Sequence, residues 1–286
     1  MNAFIRRLIE RFAPSLVSTY RSAKSEWTFC RQKPCLTPFC FRLIGRTDMQ
    51  NGQFEPEETK FITKALRKAD VFVDIGANIG YYTCLARSLG VRSIAVEPLV
   101  ENQRYLYANI LENGWDDVEV WPLALSSKPR LAELYGGGTG ASLISGWTNT
   151  SLNYHRSVSC LTLDIILGKR FQGQQLFIKM DVEGAEYSAL QGAANVIEHS
   201  PRPYWLIEIV RGIHHPNGQN PLFEQTFDLF LQKGYRAFSV GARCSEIKSW
   251  LDAQRGEQQQ EKSEAISYLF VNSDAAKDML VLLKLE

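Results

Sequence analysis

Residues 74–80, with the sequence Asp-Ile-Gly-Ala-Asn-Ile-Gly, have the composition of a tight turn that holds the negatively charged part of a ligand. Gly76 and Gly80 allow sharp turning and close approach of the backbone to a ligand, and Asn78 is of a type that tolerates a left-handed backbone. The helix expected after this turn would begin with free N–H groups at the positive end of its dipole. The sequence therefore predicts a carboxylate-binding turn.

Glu97, directly after the apolar run 92–96, is a second candidate ligand-binding residue. A carboxylate at the end of a second strand can accept hydrogen bonds from both ribose hydroxyls of an adenosine. A dinucleotide fingerprint would have glycine where this chain has Asn78 and Tyr81, which disfavours pyrophosphate and a nicotinamide-dependent oxidoreductase. S-adenosylmethionine, a nucleoside with an amino acid and no phosphate, fits both features, and Asp74 would face its ammonium or sulfonium group.

Acidic residues and a histidine follow two later apolar runs. Asp181, Glu183 and Glu186 come after residues 176–180, and Glu208 and His215 lie at and beyond the end of residues 204–209. Methyl transfer to a hydroxyl requires a base or a metal, so Asp181, Glu208 and His215 are the candidate catalytic residues. A metal-free base, His215 or Asp181, is favoured, and a magnesium or manganese site on all three stays open. Glu183 and Glu186 could instead only stabilise the start of a helix.

Alternating strand and helix patterns position these residues. We expect strands at residues 71–75, 92–96, 118–123, 176–180, 204–209, 235–240 and 266–271, and helices at residues 52–66, 79–88, 100–112, 185–197 and 222–233. This alternation predicts an α/β fold with a seven-stranded, mostly parallel sheet and helices on both faces. The carboxyl ends of the strands then form the ligand-binding edge.

Three segments lie outside this alternation. Residues 1–20 have an amphipathic helical pattern, which would pack on the domain or a second subunit, or would lie on a membrane surface as a peripheral contact. Together with the irregular residues 21–50 they predict an N-terminal extension, residues 1–50, before a domain of residues 51–286. Residues 126–162 contain a glycine run at 136–140, either a flexible connector or a lid, and residues 241–264 include a polar loop.

The composition excludes several classes of protein. A net charge of only +1 gives no sign of a nucleic-acid partner. No apolar run reaches the roughly 18 residues that span a bilayer, and the N-terminal apolar stretch is broken by charges, unlike a signal peptide. We therefore expect a cytoplasmic protein whose six cysteines are free thiols.

Several of these segments together resemble the FkbM-type methyltransferases. They are residues 72–82, 95–98 and 179–186, with residues 37–39, 52–56 and 190–193 in support, and the resemblance spans roughly residues 37–240. It implies a class I, Rossmann-like methyltransferase that uses S-adenosylmethionine and transfers methyl to a hydroxyl oxygen of a sugar, lipid or natural product. The cofactor contacts that it implies are Asp74, Gly76, Asn78, Gly80 and Glu97, with Asn102 and the turn containing Ala124 near the adenine.

Other assignments remain open at this level. Glu55 is counted among the cofactor-binding residues, but it could instead cap the helix that begins at Pro56. An N-methyltransferase acting on protein or nucleic acid would carry Asn/Asp-Pro-Pro-aromatic after the fourth strand, where this chain has Asp-Val-Glu-Gly at 181–184. A non-catalytic partner that binds S-adenosylmethionine is the other alternative. The expected acceptor is a small molecule or glycan, and nothing indicates the oligomeric state.

Overall fold

The structure is a computed structural model that describes residues 24, 26–212, 214–241, 245–253, 267–273 and 281. The predicted helix at residues 1–20 and much of the predicted loop at 241–264 lie outside these residues. None of the described helices is long and apolar enough to cross a membrane.

The described chain alternates strands and helices, with two short 3₁₀ turns at Gly138–Gly140 and Trp147–Asn149. The strands are β1 Cys35–Leu36, β2 Arg42–Leu43, β3 Val71–Ile75, β4 Arg92–Val96, β5 Glu119–Trp121, β6 Ala124–Leu125, β7 Arg130–Tyr135, β8 His155–Leu161, β9 Leu176–Met180, β10 Tyr204–Glu208, β11 Tyr235–Val240, β12 Glu246–Ile247 and β13 Ser267–Asn272. The helices are α1 Thr47–Gln50, α2 Pro56–Leu66, α3 Tyr81–Ser88, α4 Val100–Glu112, α5 Leu163–Leu167, α6 Glu186–Gln191, α7 Ala194–Ile197 and α8 Phe223–Leu231.

The main sheet has eight strands in the order β12-β11-β13-β10-β9-β3-β4-β5. Strands β5, β4, β3, β9 and β10 run parallel, and β13 is antiparallel to both β10 and β11. The predicted α/β fold is therefore confirmed. The eighth strand is β12, a two-residue strand that pairs with β11 and is too short to leave an apolar pattern in the sequence.

Helices cover both faces of this sheet, as predicted. Alternate residues of β3 separate the two faces: Val71, Val73 and Ile75 pack in one hydrophobic cluster and Phe72 in another. Helices α5, α6, α7 and α8 contribute to the first cluster, and α2 and α3 to the second. Strands buried on both faces explain why β3 and β9 are nearly continuous apolar runs.

A second sheet was not predicted. Strands β6, β8 and β7 form a three-stranded sheet from residues 124–161, so the segment 126–162 contributes two strands to it, on either side of the glycine run. In β8 exposed and half-buried residues alternate up to residue 159, because one face meets solvent. This sheet carries the glycine run at 136–140 to the edge where β3, β4 and β9 end.

Two other predicted segments differ from the structure. The helix predicted at 185–197 is split into α6 and α7 at Gly192, where a Cβ atom would lie 2.3 Å from the carbonyl oxygen of Ser126. The segment 21–50, predicted to be irregular, contains the β1–β2 hairpin and α1. Its buried residues Phe41, Leu43 and Met49 share a cluster with α2 and α3, so residues 41–49 pack on the main sheet.

Candidate active site

A pocket opens at the carboxyl ends of β3, β4 and β9 and encloses roughly 590 Å³, including the part open to solvent. Its lining residues are Ile75, Gly76, Asn78, Val96, Glu97, Pro98, Asn102, Leu123, Ala124, Leu125, Leu134, Gly138, Thr139, Ala141, Leu143, Asp181, Val182, Glu183 and Ala185. It is thus walled by the turn after β3, by Glu97, by the β6 region and by the glycine run.

The turn after β3 is held by left-handed residues. Gly76, Asn78 and Gly80 have φ angles of 81°, 52° and 86°. At Gly76 an added Cβ atom would lie 1.8 Å from the carbonyl oxygen of Asp181, so no side chain fits between this turn and the end of β9. Gly80 does not line the pocket; it precedes α3, and its missing side chain leaves room for Leu106.

Asp74 lies beneath this turn and not in the pocket. It is buried, and its Oδ2 accepts a hydrogen bond of 2.6 Å from the hydroxyl of Thr83 in the first turn of α3. Burial raises the pKa of Asp74 to about 6 despite that hydrogen bond. The structure thus places Asp74 outside the pocket lining and in contact with α3, and its position facing the ammonium or sulfonium group stays a prediction.

Glu97 is the buried carboxylate of the pocket. Its Oε2 accepts a hydrogen bond of 2.8 Å from the backbone N–H of Asn78, and its Oε1 accepts from the backbone N–H of Leu99 at 2.8 Å and from Asn102 Nδ2 at 3.2 Å. Burial raises the pKa of Glu97 to about 7, against the effect of these hydrogen bonds. The same amide nitrogen of Asn102 lies 3.3 Å from the carbonyl oxygen of Gly138 and so connects Glu97 to the glycine run.

These residues fit S-adenosylmethionine. A carboxylate offers about four acceptor positions, and three N–H donors contact Glu97, so Oε2 retains capacity for a ribose hydroxyl. Gly76 leaves the backbone accessible beside α3, whose N-terminus suits a carboxylate group. Leucine side chains provide an apolar wall for an adenine at Leu123, Leu125, Leu134 and Leu143.

Asp181 and Glu208 lie side by side, because Met180 and Ile207, the residues before them, pair in register. Asp181 lines the pocket, and Lys179 Nζ lies 3.5 Å from its Oδ2. Burial, and then the charge of Asp181, raise the pKa of Glu208 well above its ordinary value. The sheet therefore brings together an ion-paired carboxylate and a carboxyl that favours its protonated form.

His215 lies beside Trp147 and is not a lining residue of the pocket. The two rings meet edge to face with centroids 6.1 Å apart, and no described residue hydrogen-bonds the buried Nδ1 of His215. Burial lowers the pKa of His215, which keeps the imidazole neutral near pH 7. Of the three candidate catalytic residues, the structure thus places Asp181 in the pocket lining and the other two outside it.

Glu183 and Glu186 differ in role. Glu183 lines the pocket and accepts a hydrogen bond of 2.7 Å from the indole N–H of Trp147, and burial raises its pKa to about 8. Glu186 is buried and accepts from the backbone N–H of Gly184 at 2.8 Å, so it stabilises the start of α6. The helix-start interpretation therefore holds for Glu186 and not for Glu183.

Glu55 neither caps α2 with its side chain nor lines the pocket. Its Oε2 accepts a hydrogen bond of 2.8 Å from the hydroxyl of Tyr82. Burial, and then the charge of Glu58, raise the pKa of Glu55 to about 7. Glu55 thus joins the carboxylates around Lys179 on the α2 side of the sheet, and its contact with the cofactor stays a prediction.

No group of three or more histidine, cysteine or acidic side chains in the described part of the chain could hold a metal ion. The magnesium or manganese site proposed on Asp181, Glu208 and His215 is therefore unsupported. The five cysteines within the described residues are free thiols.

Sequence reasoning missed several residues of the site. Lys179, Glu58 and Trp147 contact the acidic residues, and Thr139 and Leu143 line the pocket. Lys179 could have been found, because alternation in β9 places it on the same face as Asp181. Trp147 gave no such signal, because its contact with Glu183 depends on the folding of residues 126–162.

A comparison with protein families matches residues 74–237, more than half of the chain, to the methyltransferase FkbM domain. No curated protein sequence matches significantly. Solved structures with a similar arrangement include a precorrin-6y C5,15-methyltransferase from Geobacter metallireducens GS-15, with a TM-score of 0.41, 11% identity, and coverage of 81% of this chain and 94% of that chain. A SAM-dependent methyltransferase from Agrobacterium tumefaciens has a TM-score of 0.43, 9% identity and coverage of 84% and 70%.

The matched family agrees with the topology of the main sheet and with a pocket at the carboxyl ends of β3 and β4. The predicted class I, Rossmann-like fold is confirmed, with eight strands in place of seven. The chain belongs to the FkbM methyltransferase domain family, and it is an S-adenosylmethionine-dependent methyltransferase.

Proposed function

We propose that the chain methylates a hydroxyl oxygen of a sugar, lipid or natural product, and that Asp181 accepts the hydroxyl proton. The observation that carries this proposal is the position of Asp181. It lines the cofactor pocket, its side chain is 29% exposed, and it is ion-paired to Lys179. A base must lie within reach of the acceptor oxygen as well as beside the methyl donor, and Asp181 has such a position.

S-adenosylmethionine supplies an electrophilic methyl group, whose carbon–sulfur bond breaks with the electron pair remaining on sulfur. Asp181 would take the proton of the acceptor hydroxyl as the oxygen forms its bond to the methyl carbon. His215, neutral near pH 7 and close to Trp147, is the second candidate base. Glu208 favours its protonated form and does not line the pocket, so it would not be the base.

The remaining residues would bind and align the reactants. Gly76, Asn78 and Glu97 hold the cofactor side of the pocket, and alignment of the reactants supplies much of the acceleration in such a displacement. Gly138 and Thr139 of the glycine run line the pocket, where they would help to exclude water during transfer.

The acceptor is tested by incubating the purified protein with methyl-labelled S-adenosylmethionine and fractionated cell extract, with and without chelator. We expect label in a small molecule or glycan, as an ether by mass spectrometry, and no loss of transfer with chelator. Label on protein or nucleic acid nitrogen would favour the N-methyltransferase alternative, and absence of any transfer would favour the non-catalytic partner. Loss of transfer with chelator would restore the metal hypothesis.

The proton acceptor is tested by Asp181→Asn, which keeps the size of the side chain and removes its basicity. We expect kcat to fall by about 10² to 10⁴-fold, the range typical of general bases. Calorimetry should show unchanged affinity for S-adenosylhomocysteine. The matched control is Asp117→Asn, which removes a surface carboxylate paired with Arg87. Wild-type kcat in Asp181→Asn would exclude Asp181 as the base.

The cellular setting is also part of this proposal. Free thiols support a reducing compartment, for which the cytoplasm is the expected choice. Peripheral membrane contact through residues 1–20 and the absence of a nucleic-acid partner remain predictions from the sequence.

A further inference from the structure

Lys179 is a buried cation behind the pocket. Its side chain is only 5% exposed, and its Nζ lies 3.5 Å from Asp181 Oδ2 and 3.5 Å from Glu58 Oε1. The ammonium also lies 5.1 Å from the ring centroid of Tyr82. Lys179 therefore connects the pocket wall to α2 and α3, and it does not itself line the pocket.

Glu58 is the anchor on the far side of this lysine. The hydroxyl of Ser267, at the start of β13, donates a hydrogen bond to Glu58 Oε2, which leaves Oε1 directed at Lys179. Glu58 of α2 and Tyr82 of α3 thus contact the ammonium directly, and Ser267 of β13 acts through Glu58. The ammonium in turn contacts Asp181. Lys179 thus links Glu58, which is held within the fold, to Asp181 at the edge of the pocket.

Several carboxyl groups share the field of Lys179 and Asp181. Lys179 interacts with Asp181, Glu58, Glu55, Glu208, Asp74 and Glu183. Asp181 interacts with Glu55, Asp74, Glu183, Glu186 and Glu208. Burial alone would lower the pKa of Lys179, but the carboxylates, Asp181 first, raise it well above its ordinary value. The lysine therefore remains charged, while burial and then like-charge repulsion raise the pKa values of Glu55, Glu183 and Glu208.

We propose that Lys179 is a positioning residue that acts through Asp181: anchored by Glu58, it holds the Asp181 carboxylate directed at the reacting side of the pocket. This inference rests on the proposed function, because it concerns the group that accepts the acceptor proton. A purely structural lysine would also neutralise buried carboxylates. It would contribute to folding, however, and not specifically to the rate that depends on Asp181.

A double-mutant cycle separates these two roles. We expect Lys179→Met to lower kcat by about 30- to 100-fold, part of the contribution of a general base, with affinity for S-adenosylhomocysteine within about 3-fold of wild type. In the Asp181→Asn background the same substitution should change kcat by less than about 3-fold, because the group on which it acts is already absent. The matched control is Lys233→Met, which breaks a surface ion pair with Glu198 and should leave kcat unchanged.

Lys179→Met leaves Glu58 and Asp181 without their cation, so the variant could lose stability. Folding is monitored by thermal denaturation and by cofactor affinity. If this variant does not fold, Lys179→Met combined with Glu58→Gln removes opposite charges together, and the same cycle is run on that pair. The expected results are unchanged: a slow enzyme with a normal cofactor site, and no further loss with Asp181→Asn.

The outcomes distinguish this inference from the proposed function. Wild-type kcat in Asp181→Asn would overturn the assignment of the base, whatever Lys179 does. A slow Asp181→Asn variant together with a fast Lys179→Met variant would overturn only the role of Lys179. Independent, multiplying losses in the double variant would also overturn it, because they would show that Lys179 acts on the rate without Asp181.

Discussion

Replacement of Gly76 by alanine should disrupt the point at which the cofactor turn meets the end of β9. The added Cβ atom would lie 1.8 Å from the carbonyl oxygen of Asp181, about 1.6 Å inside the 3.4 Å at which ordinary contact begins. Gly90 provides a matched control, because its φ angle is also close to 80° but no atom lies within 4 Å of the position of its Cβ. The two alanine variants therefore share the cost of a left-handed backbone and differ in the collision.

We expect Gly90→Ala to lower the free energy of unfolding by about 1–2 kcal/mol, the cost of a left-handed conformation for a non-glycine residue. In Gly76→Ala the turn must also move away from Asp181, whose N–H donates to the carbonyl oxygen of Ile75 at 2.9 Å. Loss of a buried hydrogen bond of this kind costs about 1–3 kcal/mol. The total for Gly76→Ala should therefore reach about 2–5 kcal/mol.

Urea denaturation measures both stabilities, and calorimetry with S-adenosylhomocysteine measures the pocket. We expect Gly90→Ala to bind as the wild type does, and Gly76→Ala to bind at least about 10-fold more weakly, which corresponds to about 1.4 kcal/mol. Equal stability and equal affinity of the two variants would refute the reasoning, because the collision would then have no consequence for fold or pocket.

Two further predictions concern buried carboxyl groups. Glu97→Gln should weaken binding of S-adenosylhomocysteine by about 10- to 100-fold in calorimetry, because hydrogen bonds to a charged group contribute about 1.5–3 kcal/mol. The control is Glu112→Gln, at a surface ion pair with Arg42. Equal affinity of the two variants would contradict the role of Glu97. The free energy of unfolding should fall as pH rises from about 5 to 8, by up to about 1.4 kcal/mol per pH unit for each buried carboxyl group that titrates. The sign follows because burial raises the pKa values of Asp74, Glu97 and Glu186 to about 6, 7 and 7, so that the folded protein retains protons that the unfolded chain has already released. Stability that is constant or rises over this range in urea titrations would contradict those shifts.

The main sheet could be predicted from the sequence because its central strands are buried on both faces. Strands β3, β4 and β9 begin and end at the predicted residues and are almost wholly buried. Strand β11 also begins and ends as predicted, although it is only partly buried. Strands β7 and β8 could not be predicted in this way, because they are partly exposed and their patterns are interrupted by polar residues. Their pairing also depends on contacts between residues 20 or more positions apart.

The candidate site was predictable where the backbone itself requires a residue type. Gly76 and Asn78 have positive φ angles, and both line the pocket with Glu97. Asp74 and Glu55 were also predicted to contact the cofactor, but neither lines the pocket. Their side chains contact Thr83 and Tyr82 of α3. The alternation of side chains along β3 could have shown this for Asp74, because Asp74 lies on the same face of the strand as Phe72, which packs against α2 and α3. Contacts of Glu55 with Tyr82 depend on the packing of α2 on α3 and leave no local pattern.

Asn102 contacts both Glu97 and Gly138, so a ligand that binds Glu97 would compete with Asn102 for its carboxylate. A ribose that donates both hydroxyls asks for two acceptor positions on a carboxylate that already receives three N–H donors. Asn102 is the side-chain donor among these three, and its contact of 3.2 Å is the longest. It is therefore the donor that a ribose hydroxyl would displace most easily. Binding of the nucleoside would then weaken the contact between Asn102 and the carbonyl oxygen of Gly138. The loss of this contact would offset part of the free energy gained at Glu97.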